Sequence, residues 1–325
     1  MRKIFLQWAL PVWMLVTVPG LGTSRGEYPP LPKTVTSFGA ALIEDVLYVY
    51  GGHTGQAHQY YQEGQAKTLW RLNLAQPDGW EALGEGPGLQ GLALVADGGK
   101  LYRIGGFTAR NQQGEPSDLW SQADVARYDP AAERWEELPA LPEPRSSFDA
   151  AVLDGKIYVI GGWKLAGGQD THWHSTAYVL DLNATPLDWK PLPDPPFQRR
   201  ALSVAAFDGK IYAIGGMQAE GGPTTRVDIY DPIGRQWQQG PSLLGEGMDG
   251  FGSSAFASGD RLYVSTMHGT LQRLADDGST WEIVQELENA RFFHRMLPLS
   301  GHRLLMIGGA NMAEGKFEQL EVLTP

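Results

Sequence analysis

The chain has 325 residues, of which 42% are hydrophobic and 19% charged, a balance that supports a packed core and excludes a disordered polymer. A net charge of −11 argues against a general phosphate-binding surface, and the absence of cysteine removes disulfides, thiolate metal sites and cysteine nucleophiles. The 41 glycines and 22 prolines suit many short strands joined by tight turns.

In chain order, Arg2 and Lys3 precede an apolar run from Ile4 to Val18, followed by Pro19-Gly20-Leu21-Gly22. This is the layout of a secretory signal peptide, so residues 1–22 are expected to be a leader and residues 23–325 one exported domain, periplasmic or secreted. Glu27-Tyr28-Pro29-Pro30-Leu31-Pro32 comes next and is expected to complete the last structural unit, with Tyr28 in the place of a strand-opening tryptophan.

Self-similarity then organises the chain. Leu47-Tyr48-Val49-Tyr50-Gly51-Gly52 returns as Leu101 to Gly106, Ile157 to Gly162, Ile211 to Gly216 and Leu304 to Gly309, with a degenerate copy at Leu262 to Thr266. Each copy has an apolar strand, a turn such as Asp154-Gly155 or Asp208-Gly209, and a second strand ending in the glycine pair. Asp-Gly between apolar runs marks a two-residue hairpin. A third strand such as Val227 to Asp231 follows, and a fourth opens at Trp80, Trp135, Trp189, Trp237 or Trp281, tryptophans assigned to the packing between units. Four antiparallel strands repeated radially make a β-propeller blade.

These residues resemble the Kelch repeat. The third copy carries it most fully, with Tyr128-Asp129-Pro130, Trp135, Leu138-Pro139, Pro144-Arg145 and then Ile157 to Gly162. The resemblance implies an all-β, six-bladed Kelch-type β-propeller, its last blade completed by an N-terminal strand. It also implies binding on the face formed by the loops after the glycine pairs.

Those loops are unequal. From glycine pair to tryptophan the separations are 28, 29, 27, 21 and 15 residues for blades one to five, so blades one to three wall one side of a cleft. His53, His58, His172, His174, His268 and His294 fall on this face, and His172-x-His174 is a weak metal candidate. Positions equivalent to Arg145 are read as Val35, Gly88, Arg199, Asp249 and Arg291, with Arg200, Arg226 and Arg295 nearby. Arginines converging in an acidic protein point to an anionic ligand held by forked hydrogen bonds, with Trp163 and His53 at the mouth.

Two enzyme groups share the resemblance. Copper galactose oxidases use a tyrosine cross-linked to cysteine, which this chain lacks. Sialic-acid mutarotases place a glutamate directly after the fourth-blade glycine pair, where this chain has Met217, with Glu220 and Arg226 close by. Three functions remain open. The first is an exported binder of a carbohydrate or acidic sugar. The second is a sugar-acid mutarotase- or epimerase-like enzyme transferring protons through Asp249, Glu220 or His294. The third is a protein-interaction scaffold. The expected partner is a small-molecule or glycan ligand, anionic in character, or else a protein. No cofactor, no nucleic acid and, after leader removal, no membrane is expected.

Overall fold

The computed structural model describes residues 27–325; the leader expected at residues 1–22 lies outside them. Among the described residues there is no α-helix, and the strands form six blade sheets around a central channel, with four two-stranded ribbons beside them. Blade one comprises Gly39–Ile43, Val46–Tyr50, Thr68–Asn73 and Glu81–Glu85, each strand antiparallel to the one before. Blades two to five repeat this order from Ala93–Asp97, Asp149–Leu153, Ser203–Phe207 and Ser254–Ser258 outward. Among the described residues blade six has three strands, Arg295–Pro298, Leu304–Ile307 and Glu321–Leu323.

The second strands are buried along almost their whole length, as their uninterrupted apolar sequence requires between two sheets. The turns joining first to second strands have the left-handed geometry that Asp-Gly favours, with φ of 51° and 68° at Asp154 and Gly155.

Closure is carried by the backbone. Six left-handed residues, one per blade, form a ring in which each N–H donates to the carbonyl of the preceding blade. Ser37 donates to Phe293, Gly91 to Ser37, Ser147 to Gly91, Ala201 to Ser147, Gly252 to Ala201 and Phe293 to Gly252, at 2.7–3.1 Å. A second set runs from the glycine pairs: Gly52 to Leu89, Gly106 to Arg145, Gly162 to Arg199, Gly216 to Gly250 and Gly309 to Val35. A Cβ on Gly161 would stand 2.7 Å from the Arg199 carbonyl, which is why this position takes glycine. The second set also corrects the alignment, since Leu89 and Gly250, rather than Gly88 and Asp249, occupy the places equivalent to Arg145.

The N-terminal segment docks on blade six, in a register three residues from the one expected. Leu31 N–H donates to Glu318, as Leu141 does to Ala123 and Leu243 to Thr225. Trp80 Nε1 donates to Pro29, as Trp189 does to Pro139, Trp237 to Pro193 and Trp281 to Pro241. Tyr28 therefore stands where Leu138 does, after the fourth strand, and the tryptophan place falls on residue 25, outside the described residues. Tyr28 and Leu31 are buried with Leu297, Leu305 and Ile307. Of the repeat tryptophans, Trp189 and Trp281 are buried, while Trp80, Trp135 and Trp237 are partly exposed.

Candidate functional site

The loop face is built as expected. Segments before the first strands pair with segments after the glycine pairs, as Arg199–Arg200 with Met217–Gln218, Ser146 with Trp163, and Thr36 with His53. The long loops fold into short ribbons that rise above the face, Phe107–Ala109 with Leu119–Ser121 and Trp163–Lys164 with His172–Trp173.

The structure places Arg145, Arg199 and Arg291 inside the blades. Their side chains are 0–1% exposed. Arg145 Nη1 donates to the Gly161 and Thr176 carbonyls at 2.7 and 2.9 Å. Arg199 Nη1 donates to the Gly215 and Arg226 carbonyls, and its Nη2 to Asp228 Oδ2 at 2.5 Å. Arg291 Nη2 donates to Glu321 at 2.6 Å. Each guanidinium thus ties the first glycine of the pair to the third strand, and burial pulls the Arg145 and Arg199 pKa values down to about 10. The ligand role expected for these three is corrected on that ground: their forks are occupied within the chain. Arg226 is spent likewise on the fully buried Asp228, to which Nη2 donates at 2.6 Å.

The residue that faces outward is Arg200. On an extended segment successive side chains point to opposite sides, so Arg199 turns inward and Arg200 outward. Its guanidinium lies 4.0 Å from the Trp163 ring centre, 5.5 Å from Trp173 and 5.9 Å from Phe251. Among the described residues it has no acid partner and no hydrogen bond, and its Nε is buried without an acceptor. Trp163 Nε1 is also buried without one. Burial lowers the Arg200 pKa, opposed only by the Tyr60 hydroxyl of blade one. Phe251 stacks edge-on against Phe293 and Tyr60 edge-on against Phe107, with His53 tilted against Tyr60. Among the described residues the face therefore presents a half-buried cation without an acid partner in an aromatic frame, while Arg110 of the blade-two loop stacks over Trp120 closer to solvent.

The acid–base candidates do not meet by any hydrogen bond. Glu220 is exposed in the blade-four loop. Asp249 is buried, accepts from the Glu246 N–H at 2.9 Å and lies 3.0 Å from His268 Nδ1. His294 sits in the core with Nε2 2.5 Å from Ser265 Oγ, and desolvation lowers its pKa to about 3. It stands next in sequence to the ring residue Phe293, as Phe38 and Phe148 stand next to Ser37 and Ser147, and so replaces an apolar wedge. His53 is buried against the Gln59 carbonyl at 2.9 Å, and desolvation lowers its pKa.

The channel itself is bridged. Arg295 of blade six donates to the Phe38 and Leu92 carbonyls of blades one and two, and to Asp149 of blade three at 2.9 Å. Beyond this strut, toward the turn side, lies an apolar cavity of about 400 Å³ lined by all six first strands.

The geometry defines a six-bladed β-propeller with an aromatic loop face on which Arg200 stands without an acid partner. Kelch motifs match residues 88–142, 144–184 and 198–244. The chain is a Kelch-repeat propeller. It is 27% identical over 266 residues to the N-acetylneuraminate epimerase of Pasteurella multocida (strain Pm70), covering 70% of this chain and 65% of that protein. It is 26% identical over 221 residues to Kelch-like protein 35 of Mus musculus, covering 67% of this chain and 33% of that one. The chain thus spans from about a third to about two thirds of the length of these curated relatives. The solved structure of YjhT superposes with a TM-score of 0.72 at 17% identity, covering 92% of this chain and 100% of that one, a likeness of fold.

Proposed function

We propose that the loop face binds an anionic, ring-bearing small molecule of the acidic-sugar class, with Arg200 as the anion anchor and Trp163 and Trp173 as the stacking platform. The observation that carries this reading is the Arg200 guanidinium, held in an aromatic frame with no acid partner. A carboxylate suits it because a planar fork pairs with two oxygens at once. A sugar ring suits the tryptophans because their faces are apolar, and the Trp163 N–H lacks an acceptor. The similarity to an N-acetylneuraminate epimerase supports the same chemical class. Binding is preferred to proton transfer because Glu220, Asp249 and His294 are separately engaged or exposed. On this reading the protein acts after export, which N-terminal sequencing of secreted material checks.

The test is calorimetric titration with N-acetylneuraminate, glucuronate, neutral hexoses and an acidic peptide, on wild type and Arg200→Met. Acidic sugars should bind, and Arg200→Met should weaken them by about 1.5–3 kcal/mol, the scale of a hydrogen bond to a charged group. The melting temperature should hold, because methionine keeps the packed stem. Equal binding of neutral and acidic sugars, unaffected by Arg200→Met, would refute the reading. Binding of the peptide alone would replace it with a protein partner.

A further inference from the structure

The loop of blade three brings together three side chains with metal-ligand chemistry, two of them from one short hairpin. His172 and His174 lie on its return limb, and Glu143 comes from the segment leading into the first strand of the same blade. Their donor atoms all lie within 4.8 Å of one another. His174 Nδ1 and Glu143 Oε2 are 3.7 Å apart. Two donors bound to one zinc ion at 2.0–2.2 Å in a tetrahedron stand about 3.4 Å from each other. A shift of a few tenths of an ångström therefore brings this pair to bonding distance of a shared ion.

The decisive feature is the state of His174. The side chain is 1% exposed. Its Nε2 lies 3.0 Å from the Pro144 carbonyl, which can only accept, so Nε2 carries the proton. Nδ1 is then an acceptor, buried, with no donor to satisfy it. A lone pair facing a carboxylate oxygen has no favourable interaction unless a cation stands between them. The remaining contacts fix the positions of both groups. Glu143 Oε2 accepts from Thr176 Oγ1 at 2.6 Å and from Tyr178 OH at 2.9 Å. The Pro144 carbonyl fixes the tautomer and tilt of His174. Arg145 Nη2, 3.4 Å from the same carboxylate, is the one nearby charge that opposes a cation. His172 is exposed, packs edge-on to His174 with ring centres 5.3 Å apart, and caps the group from the solvent side.

We propose that Glu143, His172 and His174 bind a divalent transition metal of the zinc type. Two imidazoles and one carboxylate suit this class better than the all-oxygen shell preferred by calcium or magnesium. Three protein ligands leave a coordination position open to water or to an oxygen of a bound molecule. The site also has a mechanical consequence. His172 is the neighbour of Trp173, which pairs with Trp163 across the hairpin, so a metal would clamp this limb onto the base of the blade. The assignment rests on residues other than Arg200 and is measured without any sugar, so it stands or falls apart from the anion reading.

The experiment uses the full chain, freed of metal with a chelator and then dialysed, titrated with Zn²⁺ by calorimetry and with Co²⁺ by visible absorption. The wild type should take up one equivalent and melt at a higher temperature with Zn²⁺ present. His172→Ala, whose side chain is exposed and whose loss leaves the metal-free melting temperature unchanged, should weaken uptake at least about tenfold and abolish the Co²⁺ absorption bands. Glu143→Gln should do the same, while His302→Ala, on an opposite turn, should bind as the wild type does. An absence of saturable uptake by the wild type, or uptake that His172→Ala leaves intact, would overturn the assignment.

Discussion

Arg199 and Arg200 are neighbours, and replacing each with methionine separates scaffold from site. In Arg199→Met the aliphatic stem survives, but the Gly215 and Arg226 carbonyls lose their donor and Asp228 loses one of its two cations. Each orphaned buried acceptor costs about 1–3 kcal/mol. Asp228 keeps the two Arg226 donors, so its charge is not left bare. Against this, burial already disfavours the Arg199 cation, whose pKa of about 10 lies below the ordinary value of 12.5. That penalty keeps the net loss in the lower half of the roughly 2–6 kcal/mol that two orphaned acceptors would cost. The net expectation is a destabilisation of roughly 2–4 kcal/mol, at the low edge of the about 3–5 kcal/mol for breaking a buried ion pair from one side. For about 300 ordered residues this lowers the melting temperature by roughly 3–7 °C. Near-ultraviolet circular dichroism during thermal unfolding reads the first quantity, and titration with an acidic sugar well below that transition reads the second. Affinity should be nearly unchanged. If Arg199→Met melts like the wild type and loses its affinity, the buried-staple assignment is wrong and this arginine is a ligand contact.

Acid should destabilise the fold below pH 6.5. His294 and His174 are buried as neutral rings, with pKa values lowered to about 3 and about 4, so the unfolded chain binds protons that the folded chain does not. The stability they leave intact above pH 6.5 is lost as pH falls, levelling off near pH 3. At pH 5 each accounts for about 2 kcal/mol, so urea unfolding at pH 7 and pH 5 should differ by about twice that. An equal midpoint at the two pH values would contradict it. Leu31→Ala should cost about 2–5 kcal/mol by opening a cavity in the closure cluster, and an unchanged thermal midpoint would show that closure lies elsewhere. Gly250→Ala should prevent a native near-ultraviolet spectrum, because its Cβ would collide with the Thr224 carbonyl and stand 2.8 Å from Gly215 Cα. A soluble, wild-type-like variant would mean that blades four and five can separate without loss.

What the sequence alone determined was the local, repeated part of the molecule. Asp154-Gly155 and Asp208-Gly209 mark their own turns, and the Gly-Gly pairs mark where neighbouring backbones meet. These signals are legible because they act over two to six residues and recur in blade after blade. The sequence also located the loop face and placed Trp163 and His172-x-His174 on it. Only the tertiary structure decided what lies inside that face. Arg199 and Arg200 are the same residue type one step apart, and which of them turns inward depends on the carbonyls of the third strand and on buried Asp228. Glu143 joins His174 from 31 residues away, through a loop whose path no local pattern specifies. The register of Tyr28 and Leu31 was likewise decided by Glu318 and Trp80, residues that reach the N-terminal segment only when the ring closes. The physical reason is range: hairpins and glycine pairs answer to their own backbone, whereas burial and pairing at a site are set by groups that chain closure brings from other blades.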